Sequence, residues 1–466
     1  MSREKTLVKK TIIYAIGNFS SKILAYVMVL VYTYFIDQKE MGYYDLILTT
    51  VSLVQPIIIF QMNDGVYRFL VEGVNKEGVL STGFRFLCCT TVVAEICLLI
   101  FSTIHYLEYT GLIALYLAST MIYLYFQDSI RGLGDSKLYA FCGVFNSVCM
   151  LICEVIGLVG LKLGVAALLA SKTIANIACI ILLFIKEEQL RCVWKNKFDR
   201  TVFRTLFHYS APLVPNTICW WIVNSSDRYI ILFFLGAAYN GLFSVAYKFP
   251  TILTTVTSIF YLAWQESAIK EYNSPNRNVF FSNIFRKYYI LLFSICICAI
   301  PATKIVIELF VSIEYKTAWI YTGFLYLGAV FSALSSFLGM GYQISQETKR
   351  SVMTTVLAAL INAAVNLGAI HFIGLQAASL STFVSYLFLF IVRIQHTKRY
   401  FILKVNWGQF IWLTILNILL IATVIFTDSL LLSLGLCIAG GAYLFWLNQE
   451  LIAPVVNTVL KRFKLK

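Results

Sequence analysis

GVAALLASKTIANIACIILLFIKEEQLRCVWKNKFDR, residues 164–200, contains the two features that decide the fold. Residues 164–185 are apolar apart from Lys172 and a few small polar side chains, and the run is long enough to cross a bilayer as a helix. From Lys186 to Arg204 the chain turns polar and basic, the most highly charged interruption in the sequence. An apolar span followed by a basic connection places that connection on the cytoplasmic side.

The same alternation runs through the whole chain. Of 466 residues, 59% are hydrophobic and 13% charged, where a soluble domain carries about 25% charged residues. Apolar runs recur at 11–36, 43–62, 84–104, 111–130, 138–160, 164–185, 206–235, 240–262, 286–307, 317–341, 351–371, 374–395, 408–427 and 430–449. Backbone groups in hydrocarbon must satisfy one another, and runs of this kind do so as helices. The expected fold is an all-α polytopic membrane protein of about fourteen transmembrane helices.

The net charge of +14 does not indicate nucleic acid. Lys39, Lys162, Lys304 and Lys316 fall on the outer side, Lys22, Lys172, Arg228 and Lys248 fall within spans, and the rest of the 37 Lys and Arg are cytoplasmic. This asymmetry puts both termini inside and turns the basic surplus toward anionic membrane lipids. The basic Met1–Lys10 precedes a span too long for a signal-peptide core, so it reads as a retained first helix. The twelve Cys show no disulfide framework or metal spacing, and no phosphate-binding loop, zinc motif or nucleophile elbow is present. No cofactor or metal, and no enzyme, is expected.

The polar interruption divides the chain into residues 1–186, a six-helix lobe; 187–204, a cytoplasmic linker; 205–397, a second six-helix lobe; and 398–466, two further helices with a basic tail. The lobes resemble each other. GVAALLASKTI from Gly164 aligns with GLQAASLSTFV from Gly374, and aligning Gly42 with Gly241 brings Thr11 onto Ser210. Each lobe has an even number of spans, so the repeats are parallel, as in transporters that rock two bundles about a central cleft.

Charges inside spans are functional candidates by default. Depth along the helices suggests three pairs: Glu154 with Lys172, Asp227 with Lys248, and Lys22 with Glu95. Arg228 is then left over. Thr217, Trp221, Ser225 and Arg228 form a stripe at helical spacing, as do Tyr14, Asn18, Lys22 and Tyr26. The stripes read as equivalent faces of a polar cleft; the competing reading is a helix–helix interface held by polar residues. A cleft with surplus positive charge suits a phosphate-bearing substrate, which the planar arginine fork binds bidentately.

GNFSSKILAYVMVLVYTYFIDQKEMGYYDL at Gly17–Leu46 and SSDRYIILFFLGAAYNGLFSVAYKF at Ser225–Phe249 carry a family resemblance. The sequence resembles the polysaccharide biosynthesis transporters, the O-antigen and capsule repeat-unit flippases of the multidrug/oligosaccharidyl-lipid/polysaccharide exporter superfamily. The resemblance implies two six-helix lobes around a cleft plus a C-terminal helix pair, in a bacterial inner membrane. It implies movement of an undecaprenyl-diphosphate-linked oligosaccharide, such as a lipopolysaccharide O-antigen unit, from the cytoplasmic to the outer leaflet by alternating access. A polysaccharide polymerase or chain-length regulator is the implied partner. The diphosphate-binding role carries over to Arg228 and then Lys22, with Lys172 and Lys248 as candidates by depth. Asp227, Glu95 and Glu154 are the candidate ion-coupling acids. The alternatives are a multidrug cation antiporter of the same superfamily and a membrane polymerase or ligase, against which the short outer loops argue. The orientation is checked by Lys195→Cys in a cysteine-free chain: an impermeant maleimide is expected to label it only after the membrane is opened.

Overall fold

The computed structural model describes residues 28–449 apart from 74, 273, 346 and 428. The described residues form helices and connections without strands. Contacts divide the chain into two units, Met1–Tyr229 and Ile230–Lys466. The segment 205–229, which the sequence groups with the second lobe, belongs to the first unit, because its helices pack on the first lobe's own.

In the first unit, α1 (Gln38–Ile58) begins where the Asp37 carboxylate accepts the Glu40 amide at 2.7 Å, filling an otherwise open donor. Pro56 lies near its end; Phe60 and Gln61 then adopt positive φ, and α2 (Met62–Glu72) departs at 57°. α2 is a short amphipathic helix. It buries Met62, Val66 and Leu70. There follow α3 (Lys76–Ile104), α4 (Thr110–Leu133), α5 (Ser136–Val155), a π-turn at Ile156–Gly160 and α6 (Val165–Lys186). The Tyr125 hydroxyl ties α4 to α3 by donating to the Leu80 carbonyl at 2.6 Å. Gly132 lets α2 approach α4: a Cβ there would meet Leu70 Cβ at 2.9 Å.

The linker holds α7 (Cys192–Lys195) and leads to α8 (Arg200–Ser210), capped by the Asp199 carboxylate. The Cys192 thiol is pushed up by burial and then by the Glu77 carboxylate, so little thiolate forms there at neutral pH. α8 sets Phe203 and Phe207 against Phe86 and Phe60, at centroid distances of 5.1 and 5.2 Å. After Pro212 and Pro215 come α9 (Val214–Ser225) and α10 (Asp227–Phe234).

The second unit comprises α11 (Ala237–Lys248), α12 (Thr251–Glu271), α13 (Arg277–Phe310), α14 (Thr322–Ile344), α15 (Thr348–Ile373), α16 (Gln376–His396), α17 (Trp407–Phe426) and α18 (Leu430–Leu447). α14 packs along α16, and α16 along α15, while α17 and α18 pack on α13. Phe331 joins these layers, with Phe293, Phe390 and Phe410 each about 6 Å away between ring centroids.

Ten described helices are long and apolar enough to span a membrane, eleven if bent α1–α2 counts as one. The first expected span falls mostly outside the described residues. Spans seven and eight are broken into α8–α10 and α11–α12, interrupted at Pro212, Pro215 and Pro250, where a proline amide cannot donate to the preceding turn.

Two cations that the sequence places at the surface are buried. Lys304, assigned to an outer loop, is wholly buried in α13. Its ammonium donates to the Thr427 carbonyl at 3.0 Å, lies 3.8 Å from the Glu308 carboxylate and sits over the Trp319 ring. Arg393, on α16, is 2% exposed. Its fork donates to Thr354 Oγ1, Thr355 Oγ1 and the Ser335 carbonyl at 3.3, 3.1 and 3.0 Å, joining α14, α15 and α16. A lysine there has one donor centre for three acceptors. Arg393→Lys is expected to cost about 2 kcal/mol, measured as a lower thermal midpoint of the detergent-solubilised protein.

Candidate functional site

Asp45 lies two turns into α1, and Arg228 lies in the first turn of α10. Both are buried, at 8% and 6% exposure. Arg228 Nε stands 3.3 Å from Asp45 Oδ2, and Arg228 Nη1 donates to the Asn224 carbonyl at 3.0 Å. The arginine that the sequence leaves without an acid therefore has one. The signal was available: Asp45 is in EMGYYDLI, but a span beginning at 43 puts it at the edge, whereas α1 begins at Gln38 and carries it inward.

Thr217 and Trp221 of the predicted stripe face the same way. Trp221 Nε1 donates to the Thr49 carbonyl at 3.2 Å and reaches Ser52 Oγ at 3.1 Å. Gln61 donates to Thr217 Oγ1. Tyr229 shares a 2.7 Å hydroxyl–hydroxyl bond with Thr50 and packs its ring on Trp221. Thr217, Trp221 and Arg228 thus contribute to a polar seam between α9–α10 and α1, contacts of the kind the interface reading expects, while the second stripe that the cleft reading needs lies outside the described residues. The sequence could not distinguish these readings, because helical periodicity shows which residues share a face and not what that face meets.

The other candidates are distributed as follows. Lys22 and its stripe lie outside the described residues. Glu154 is buried near the end of α5, but no ion pair joins it to Lys172 among the described residues. Lys172 instead points its ammonium at Met150 Sδ, 3.8 Å away, one turn from Glu154. A depth count treats residues 156–160 as α-helix; the wider π-turn and the positive-φ Lys162 and Gly164 change the register of the hairpin. Asp227 is fully buried in the first unit, and Lys248 ends α11 in the second. Glu95 is half-buried on α3, and its Oε1 has no hydrogen-bond partner among the described residues. No three His, Cys, Asp or Glu gather as metal ligands among the described residues.

The model of the family described as "Polysaccharide biosynthesis protein" matches residues 7–265, which include α1, α9, α10 and the Asp45–Arg228 pair. The chain belongs to that family. No curated protein matches this family member by sequence. Its fold is similar to lipid II flippase MurJ in an inward closed conformation, with a TM-score of 0.74 and 13% identity over 96% of this chain and 100% of that one. It is also similar to an inward-facing multidrug-resistance MATE transporter of the MOP superfamily, with a TM-score of 0.62 and 13% identity over 84% and 95% of the two chains. A mutant of the Vibrio cholerae MATE transporter VcmN gives 0.61 at 12% identity, over 86% and 98%. The family member therefore has the MurJ/MATE transporter fold, and its membrane-spanning helices fit that class.

Removing one partner of a buried pair strands the other charge. Asp45→Ala and Arg228→Ala are each expected to destabilise by about 3 kcal/mol, and the double variant by clearly less than their sum. Thermal midpoints of the three variants measure this coupling. Exchanging the charges of Glu154 and Lys172 is expected to give no mutual rescue.

Proposed function

We propose that this family member is a flippase that carries an undecaprenyl-diphosphate-linked oligosaccharide, the repeat unit of a surface glycan, from the cytoplasmic to the outer leaflet of a bacterial inner membrane. The observation that carries the reading is the end-to-end likeness to a lipid II flippase, in a chain whose family is named for polysaccharide biosynthesis. A lipid II flippase and a repeat-unit flippase meet the same physical problem. A diphosphate and a polar glycan must cross hydrocarbon on a protein path while the lipid tail stays in the membrane.

In this reading Arg228, Lys22, Lys172 and Lys248 are the cations offered to the diphosphate. Arg228 would exchange the Asp45 carboxylate for a phosphate, since both are planar-fork acceptors of similar reach. Its ion pair keeps the cation neutralised in hydrocarbon when no substrate is bound. The cation-antiporter reading needs an acid that no fixed cation neutralises, and Asp45 does not meet that condition. Glu95, Glu154 and Asp227 are the candidate coupling acids. Both termini are placed in the cytoplasm by the charge asymmetry, and a polymerase or chain-length regulator would take the delivered unit.

Deleting the gene in its host is expected to abolish the surface glycan and leave lipid-linked repeat units on the cytoplasmic side, read by glycan immunoblot and by mass spectrometry of extracted lipids. Restoring the gene with Arg228→Lys is expected to recover less than wild type at equal membrane abundance, and Arg228→Ala less again. An unchanged surface glycan after deletion would overturn the reading.

A further inference from the structure

α12 opens with TILTTVTS, residues 251–258, an unusually hydroxyl-rich segment for a helix at membrane depth. Thr254, Thr257 and Ser258 each donate to a backbone carbonyl three residues earlier, at 2.8, 3.0 and 2.7 Å. Their protons are used, and their oxygens are left as acceptors. These three residues line a cavity of about 250 Å³ within the second unit, closed on the far side by α14 with Ser332 and Ser336. Ser336 also donates within its own helix, to the Ser332 carbonyl at 3.0 Å. Tyr261 adds the complementary group: its oxygen accepts from Gln343 Nε2 at 2.9 Å, so its own proton is available to donate.

The remaining walls are aromatic. Phe260 stacks on Tyr288 with centroids 3.9 Å apart, and Trp264 on Phe337 at 4.0 Å. The Trp264 indole N–H is held by the Phe337 carbonyl at 3.2 Å, which fixes the ring. Among the described residues no charged side chain lines the cavity, which suits a neutral group better than a diphosphate. Drug-sized ligands fill sites of about 300–1,000 Å³; this one has room for a single small ring. Aromatic walls with a band of hydroxyl acceptors and the Tyr261 donor suit a pyranose, whose C–H face is apolar and whose rim is hydroxyl.

The geometry points to a monosaccharide subsite between α12 and α14, which holds one sugar ring of the substrate. This rests on the flippase reading. On the charge-derived orientation the chain enters span eight from the outer side, which puts residues 254–264 in its inner half. A glycan waiting on the cytoplasmic side would meet the subsite first. The rival occupant is a lipid acyl chain, which would be indifferent to the hydroxyls.

Two kinds of variant separate these cases in the native host, with the deleted gene restored at matched membrane level. Ser332→Leu with Ser336→Leu fills the cavity, whereas Thr257→Val and Tyr261→Phe keep its shape and remove one hydroxyl each. The folded state is checked by thermal midpoint. The midpoint shift produced by undecaprenyl diphosphate without sugar reports the diphosphate site alone. The expected result is loss of surface glycan in the filled variant, a drop of about five-fold for each hydroxyl removal, and an unchanged shift with undecaprenyl diphosphate in all of them. Surface glycan at wild-type level in the folded filled variant overturns the subsite. So does full activity of both hydroxyl variants, which leaves the cavity to an acyl chain. If gene deletion itself spares the surface glycan, the flippase reading fails, and the subsite fails with it.

Discussion

A charge that enters hydrocarbon must bring its counter-charge or its hydrogen bonds with it, because no water is there to supply them. The positions of the buried cations follow from that constraint, and the helices are arranged to meet it. Arg228 lies against Asp45, which ties α10 to α1. Lys304 is held by a carbonyl, a carboxylate one turn away and an indole face. Arg393 has two hydroxyls and a carbonyl from three helices. The three solutions differ in what they allow. An arginine held by neutral groups is fixed in place, since moving it strands a full charge. An arginine held by a carboxylate can exchange that partner for another anion at nearly constant charge. Arg228 is held by a carboxylate, and Arg393 by neutral groups.

Much of this was legible in the sequence. Runs of apolar residues at helical length give the membrane helices, and the family motifs around Asp227 and Asp45 lie where the two helices of the first unit meet. What the sequence could not show was partnership. The stripe Thr217, Trp221 and Arg228 is visible as one face, yet the face it meets is α1, reached across more than 150 residues of chain. Depth counting fails for Glu154 and Lys172 because it assumes a uniform rise through residues 156–164, where the backbone forms a π-turn and two positive-φ residues. Asp45, Lys304 and Arg393 escape it for one reason: each lies within two or three residues of the end of its apolar run, at 43–62, 286–307 and 374–395, where a charge reads as belonging to the membrane surface, whereas α1, α13 and α16 extend past those ends and bury it.

The broken spans carry a further consequence of the same constraint. α8 to α11 are short, the run from α8 to α12 is interrupted at Pro212, Pro215 and Pro250, and α12 opens on a row of hydroxyl side chains. Irregular backbone at membrane depth survives where protein or an aqueous cavity satisfies it. The Trp221 and Gln61 bonds to α1 and α9 supply part of that satisfaction in the first unit. In the second, the hydroxyls of α12 bond back onto their own helix. Long apolar helices such as α13 and α14 make the frame, and the polar, interrupted ones carry the candidate chemistry.

The two chemistries needed for a lipid-linked glycan make opposite demands on a protein interior. A diphosphate needs fixed cations, and fixed cations in hydrocarbon need acids, so its site must be a charge network that can exchange partners. A sugar needs shape and neutral hydroxyls, which cost little in hydrocarbon when each proton is already bonded to a backbone carbonyl. The first unit contains an arginine–carboxylate pair of the former kind, and the second contains an uncharged cavity of hydroxyls and rings of the latter. On the proposed reading each could be built without compromising the other: the Asp45 carboxylate that neutralises Arg228 would not crowd a sugar, and the rings that would hold a sugar would not have to shield a charge.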